Sequence, residues 1–214
     1  MKIFCFFLCL FQSFILHATE SRNGLWYGFF NEAEINERFA WWTEAQLRHD
    51  VDAQRLQQTL VRTGLLMQVT EYSNLGLLYA YVDSDPFKEH RITFQHVLIY
   101  GDYFNSNLSQ RVRLEYRTLE NNRNLPWRFR YSFRVEKNTS FPIKPSLKNE
   151  VFLNLKRDPY FNNSIFDRNR LFIGGRYPFK ENINIEFGYL NQYTHRPQRD
   201  LTEHLLVFYL FYLI

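Results

Sequence analysis

Alternation of apolar and polar positions is the dominant pattern along the chain. In "PWRFRYSFRVE", Trp127, Phe129, Tyr131, Phe133 and Val135 fill one row, while Arg128, Arg130, Ser132, Arg134 and Glu136 fill the other. Successive side chains of a strand point to opposite faces, so this stretch predicts a two-faced β-strand. "RVRLEYR" repeats the pattern, with Val112, Leu114 and Tyr116 against Arg111, Arg113, Glu115 and Arg117. Leu171, Ile173 and Tyr177 stand against Arg170, Gly174 and Arg176 in "RNRLFIGGRY". Further on, Ile183, Ile185, Phe187 and Tyr189 alternate with Asn182, Asn184, Glu186 and Gly188. Nearer the start, Phe39, Trp41, Ala45 and Leu47 oppose Glu44, Gln46 and Arg48, and Val61, Leu65 and Met67 oppose Arg62, Gly64 and Gln68. Weaker alternation over 25–35, 74–82, 90–100, 147–157 and 203–214 brings the candidates to eleven strands. Between them lie stretches rich in Asn, Asp and Pro, such as "LENNRNLP" and "HRPQRD", residues that pre-set turn geometry. Convincing helical periodicity is missing after the first 18 residues.

Alternation alone does not say which row faces inward. With water outside, the aromatics would fill the core, as in a secreted lipocalin-like barrel binding a hydrophobic ligand. With lipid outside, the aromatics would face lipid and the arginines a lumen. Length favours lipid: the candidates run about 9–12 residues, what a tilted strand needs to cross a bilayer, against about 5–6 for ordinary strands. Trp41, Tyr81, Tyr116, Trp127, Tyr177 and Tyr189 lie near strand ends, where interfacial girdles place aromatics. The chain also finishes on an aromatic-rich strand, "HLLVFYLFYLI", although both of its faces are apolar and its register is ambiguous. The expectation is an all-β, antiparallel transmembrane β-barrel. Bacterial single-chain barrels carry an even number of strands, so 10 or 12 are predicted, with the miscount placed in the first mature residues or the Pro-broken 137–149.

The first residues change the picture by sending the chain out of the cytoplasm. Lys2 followed by the apolar Ile3–Phe11 and Phe14–Leu16, with the small Ala18 behind, reads as a cleaved signal peptide over 1–18, leaving 19–214 as the barrel. Both cysteines, Cys5 and Cys9, fall in that leader, so the predicted mature chain holds neither a disulfide nor a Cys-based metal or redox site. The formal charge of +4, or +3 without Lys2, is too weak to argue for nucleic acid. Together these features predict a bacterial outer-membrane protein in contact with outer-membrane lipid and with the barrel-assembly machinery.

With the aromatic rows outward, the lumen-lining candidates are Arg48, Arg62, Arg111, Arg113, Glu115, Arg117, Arg128, Arg130, Arg134, Glu136, Arg170 and Arg176. Arg91, Glu44, Glu150, Lys156 and Glu186 share their parity. Two uses of such a lumen are open. An Arg–Glu network can fill and rigidify a narrow interior, since paired buried charges stabilise each other. Alternatively, the excess of Arg over Glu can line an anion-selective path. Catalysis is not expected. There is no His-x-Ser on a strand, no HExxH and no Gly-rich phosphate loop, and neither metal nor cofactor is predicted. His96 is the one mid-strand histidine, in the outward row with Phe94 and Leu98, and is the only foothold for a lipid-modifying enzyme. The two longest loops, "RDPYFNNSIFDRN" and "NQYTHRPQRD", count to the same side of the barrel, with the tight turn "PFKEN" on the other. They carry Tyr, Phe, Arg and His suited to sugar or protein contacts.

The ordered set "LWYGFF", "WWTEAQLRHD", "TLVRTGL", "RVRLEYR", "RFRYSFR", "NEVFLNL", "FDRNRLFIGGRY" and "IEFGYLNQY" resembles a family of proteobacterial outer-membrane proteins catalogued as domain of unknown function 2490. The resemblance covers most of the predicted mature chain. It implies an outer-membrane β-barrel without an established activity, and it brings no catalytic residues. The expected role is structural or channel-like.

Overall fold

The computed structural model describes residues 20–84, 86–121, 123–158 and 163–214, so the predicted leader lies outside the described residues. Among them eleven strands follow in order: β1 (Glu20–Glu34), β2 (Phe39–Asp50), β3 (Arg55–Thr70), β4 (Ser73–Ser84), β5 (Phe87–Asp102), β6 (Ser106–Leu119), β7 (Asn124–Lys137), β8 (Lys144–Asn154), β9 (Phe166–Lys180), β10 (Ile183–Thr194) and β11 (Leu201–Leu213). Each pairs with its neighbours in sequence, and β1 pairs with β11 to close a barrel. Closure leaves no edge strand with unpaired N–H and C=O groups. Every one of the eleven alternating stretches becomes one strand.

Two expectations need correcting. The described strands number eleven rather than 10 or 12, and the sheet is mixed rather than antiparallel throughout. The physical reason is the seam. With an odd number of strands the first and last run the same way, and their slanted, evenly spaced parallel hydrogen bonds close the sheet, slightly less stably per residue than antiparallel ones. The seam keeps one register without a shift from Glu20↔Leu201 to Glu32↔Leu213.

The topology gives the two rims different characters. The longest connection, β8–β9, lies at the rim where β1 begins, as does β10–β11; the two-residue turns β3–β4 and β9–β10 lie at the other, with β7–β8. We call these the loop rim and the turn rim. Around the waist most outward positions are apolar, Leu77, Phe94, Leu147, Ile173 and Leu206 each being between 45% and 55% exposed, and the outward Asn149 and Asn169 hydrogen-bond each other. Aromatics mark both margins. Near the loop rim Tyr116 packs on Trp127, ring centroids 5.2 Å apart, and the Tyr79 hydroxyl lies 2.7 Å from His90 Nδ1. Trp41 and Tyr177 stand near the turn rim.

One sector of the interior is apolar. Trp26, Phe30, Phe172, Leu190, Leu205, Val207 and Tyr209 form a buried cluster from β1 and β9–β11. Gly174 and Gly188 face each other across β9 and β10, and the Phe172 ring lies over both. A Cβ on Gly174 would come within 2.5 Å of that ring and 2.3 Å of the Phe187 carbonyl oxygen. Gly174→Val is therefore expected to cost about 1–3 kcal/mol, read as a lower urea midpoint of the refolded barrel. The seam makes a second prediction. Cysteines at Leu25 and Leu206, which are paired in register, cross-link under oxidation, whereas cysteines at Leu25 and Leu210 do not. The reverse result removes the parallel closure.

Candidate functional site

The site is the lumen. A cavity of about 840 Å³ reaches from Ser84 and Phe87 near the loop rim to Asn107 and Phe211 near the turn rim. Thirteen arginines and Lys148 line it against five glutamates, although the whole chain carries only +4. The cations are thus gathered inside by strand parity. Of the predicted residues, Arg48, Arg62, Arg111, Arg113, Arg117, Arg128, Arg130, Arg134, Glu136, Arg170 and Arg176 line this cavity. Glu115 does not line it, because it is fully buried beneath the guanidinium groups it binds.

Glu115 is the centre of the network. Arg128 donates to its Oε2 from Nε at 2.8 Å and from Nη2 at 2.5 Å, and Arg130 Nη1 donates to Oε1 at 2.6 Å. Arg130 reaches on to Glu150 at 2.8 Å, which also accepts from Arg111 at 3.3 Å. On the other side Arg62 lies 3.9 Å from Glu115 and donates to Glu44 at 2.7 Å. The chain of ion pairs therefore crosses β2, β3, β6, β7 and β8. A second knot, nearer the turn rim, joins Arg134 and Arg176 to Glu136 and Glu186.

Compensation is incomplete. Among the described residues Arg48, Arg113 and Lys148 have no carboxylate oxygen within 4.0 Å. Neutral groups hold the two arginines: Arg113 Nε donates to Gln95 at 2.8 Å, and Arg48 donates to Gln58 at 2.5 Å and Gln46 at 2.9 Å. Arg48 also lies 4.0 Å over the Trp26 ring. A second cavity of about 650 Å³ opens at the loop rim, and Trp26, Arg48, Gln58 and Ser84 line both. Gln58 donates to Ser84 Oγ, so Arg48, Gln58 and Ser84 form a hydrogen-bonded bar where the two cavities meet.

Sequence parity missed some features. Phe152 is buried in the lumen with Arg130 and Arg170 at 4.4 and 4.7 Å from its ring centroid. It shares the parity of Glu150, a signal hidden because its own side chain is apolar. Asp167, bound by Arg128 at 3.3 Å, was likewise not anticipated. Lys156 falls outside the lumen: β8 ends at Asn154, and the lysine is exposed in the connection beyond. His96 sits on the outer face with Nε2 2.8 Å from Ser73 Oγ. That pair joins β4 to β5, so a search along one strand does not find it. Among the described residues no group of three His, Cys, Asp or Glu is placed to hold a metal ion.

Removing the network's centre tests its weight. Glu115→Ala takes away the carboxylate that Arg128 and Arg130 share, leaving one with Asp167 and the other with Glu150, and is expected to destabilise the barrel by about 3–5 kcal/mol, measured by urea unfolding. Adding Arg130→Met to Glu115→Ala is expected to recover part of the loss, because one of the two under-neutralised charges goes with it.

The fold has a counterpart among solved structures. A structure titled "NanC porin structure in rhombohedral crystal form" superposes with a TM-score of 0.53 over 85% of this chain and 94% of that one, at 9% sequence identity. At that identity the likeness is one of fold. No curated protein matches the sequence. A family model described as "Protein of unknown function (DUF2490)" matches residues 23–203. The chain, a closed β-barrel with a cation-rich lumen, belongs to the DUF2490 family.

Proposed function

We propose that the protein is an outer-membrane β-barrel that conducts small anions through its lumen. The observation that carries this reading is the cavity running along the lumen from near one rim to near the other, with fourteen cationic side chains, Lys148 and thirteen arginines, against five carboxylates in its wall. An anion entering such a passage exchanges hydration water for guanidinium N–H groups, while a cation loses water and meets repulsion. The likeness in fold to a porin agrees with a channel. A membrane setting is supported by the largely apolar waist, the aromatic margins and strands of 11 to 16 residues, enough for the about 9–11 a tilted strand needs. In this reading the loop rim faces outward and its loops are free for sugar or protein contacts. Outer-membrane lipid surrounds the waist, and the barrel-assembly machinery inserts the chain.

The reading assigns no catalysis. The Ser73–His96 contact is the observation that favours a lipid-hydrolysing alternative. That alternative is lost if purified protein and its His96→Ala variant act on phospholipid at the same background rate.

Two measurements test the channel. Fractionation is expected to find the protein in the outer membrane, with heat-modifiable gel migration; a periplasmic protein without it removes the proposal. In planar bilayers under a KCl gradient the reversal potential should carry the sign of an anion current. Arg48→Gln combined with Arg113→Gln should lower the anion-to-cation permeability ratio about two- to five-fold, since no carboxylate lies within 4.0 Å of either charge among the described residues. Arg62→Gln, whose partner Glu44 is then released, should lower it as well and add a fall in stability.

A further inference from the structure

The half of the lumen nearer the turn rim has two unlike walls. On one side Phe30, Trp42, Tyr209 and Phe211, from β1, β2 and β11, form an aromatic cluster. Phe30 stacks on Phe211 with centroids 4.7 Å apart and planes at 12°, and meets Tyr209 edge-on at 5.3 Å and Trp42 at 6.0 Å. Trp42 and Phe211 are only partly buried, and all four rings line the open cavity. Around the barrel, β6 and β7 stand five strands from β1 in either direction, so they form the opposite wall. Arg111 and Arg134 project from that wall, with Lys148 beside them on β8, and all three line the same cavity.

Passage of a small inorganic anion needs only the cationic wall. Arg176 lies 4.9 Å over the Phe211 ring and covers part of it, but the exposed remainder of Phe211 and Trp42 is hydrated in a water-filled lumen, which is unfavourable unless something covers it. This half of the 840 Å³ cavity, with an aromatic wall and charged groups converging opposite it, has the character of a small-molecule site. From these two walls we infer that the lumen binds carboxylates attached to an apolar ring, the ring lying against Trp42 and Phe211 and the carboxylate reaching Lys148. Lys148 is the apt recipient because, among the described residues, no carboxylate lies within 4.0 Å of it, whereas Arg134 is engaged by Glu136 and Glu186. The inference rests on the anion-conducting reading for its route of entry, and it names the class of anion that the passage retains.

Benzoate, acetate and the neutral benzamide separate the two contributions. Each is titrated calorimetrically into the refolded barrel in detergent, with protein-free micelles as the blank. Benzoate is expected to bind at least about ten-fold more tightly than either of the others. Phe211→Ala should bring benzoate down to the acetate level, and Lys148→Gln should bring it down to the benzamide level. Trp42→Phe serves as the milder second variant, and heat-modifiable migration identifies the folded preparations. Equal affinity for benzoate and acetate, or benzoate binding unchanged in folded Phe211→Ala and Trp42→Phe, overturns the inference. Bilayer recording keeps the two ideas apart. An anion-selective current that benzoate blocks no better than acetate sinks the ring-carboxylate site and leaves the channel standing. Ten-fold tighter benzoate binding in a barrel that passes no current upholds the site and sinks the channel.

Discussion

Arg128 and Arg130 cannot both face the inside of a closed barrel unless a carboxylate faces them, and Glu115 is that carboxylate. Each guanidinium brings several N–H donors into a space where protein wall replaces most of the water, and an unpaired charge there is costly. The pairing of β6 with β7 sets Glu115 directly against Arg128, and Arg130 lies one inward step further along. A slip of one residue would turn Glu115 to the outer face and leave both arginines facing an apolar row. The same carboxylate lies within reach of Arg62 from β3, so the register of one hairpin is felt across the lumen. Much of the interior is built outward from this point: Arg130 carries the network to Glu150 on β8, and Arg128 carries it to Asp167 on β9.

Charge is not distributed evenly around the lumen. The strands β6–β8 supply most of the central network, whereas β9–β11 and β1 supply the apolar cluster. The division follows from side-chain size as well as polarity. Phe172 can lie flat against the wall because Gly174 and Gly188 present no Cβ beneath its ring. The space thereby kept open is shared by the aromatic cluster and by the cations opposite. A barrel filled solely by ion pairs would be a rigid plug; one with an aromatic wall and incompletely compensated cations retains a chamber in which chemistry can discriminate.

Legibility in the sequence followed the range of each interaction. The two-faced stretches are readable because a strand alternates every second residue, and burying Arg130 while exposing Phe129 requires nothing beyond that local rule. Parity alone therefore places the twelve candidate residues on the inner side, Glu115 among them. It could not show that Glu115 is covered while its partners are open to the cavity, since that depends on which arginines reach it from two strands. Trp26 and Phe152 are not legible in the pattern because an apolar residue on an inward row looks like a flaw in it. The final strand, apolar on both faces, had no register until pairing with β10 and β1 turned Leu205, Val207 and Tyr209 inward and Leu206, Phe208 and Leu210 outward.

The pattern of side chains alone specified long two-faced strands, with one face rich in arginine and the other in aromatics. It did so because the determinant is a period of two residues written into neighbouring side chains. The number of strands in the closed sheet, the sense of its seam, which carboxylates neutralise which arginines and where an aromatic wall faces a cationic one were settled by the three-dimensional fold. Those outcomes depend on contacts between residues far apart in the chain. The parallel seam in particular is made by backbone N–H and C=O groups, which every residue except proline offers alike, so no side-chain pattern announces it.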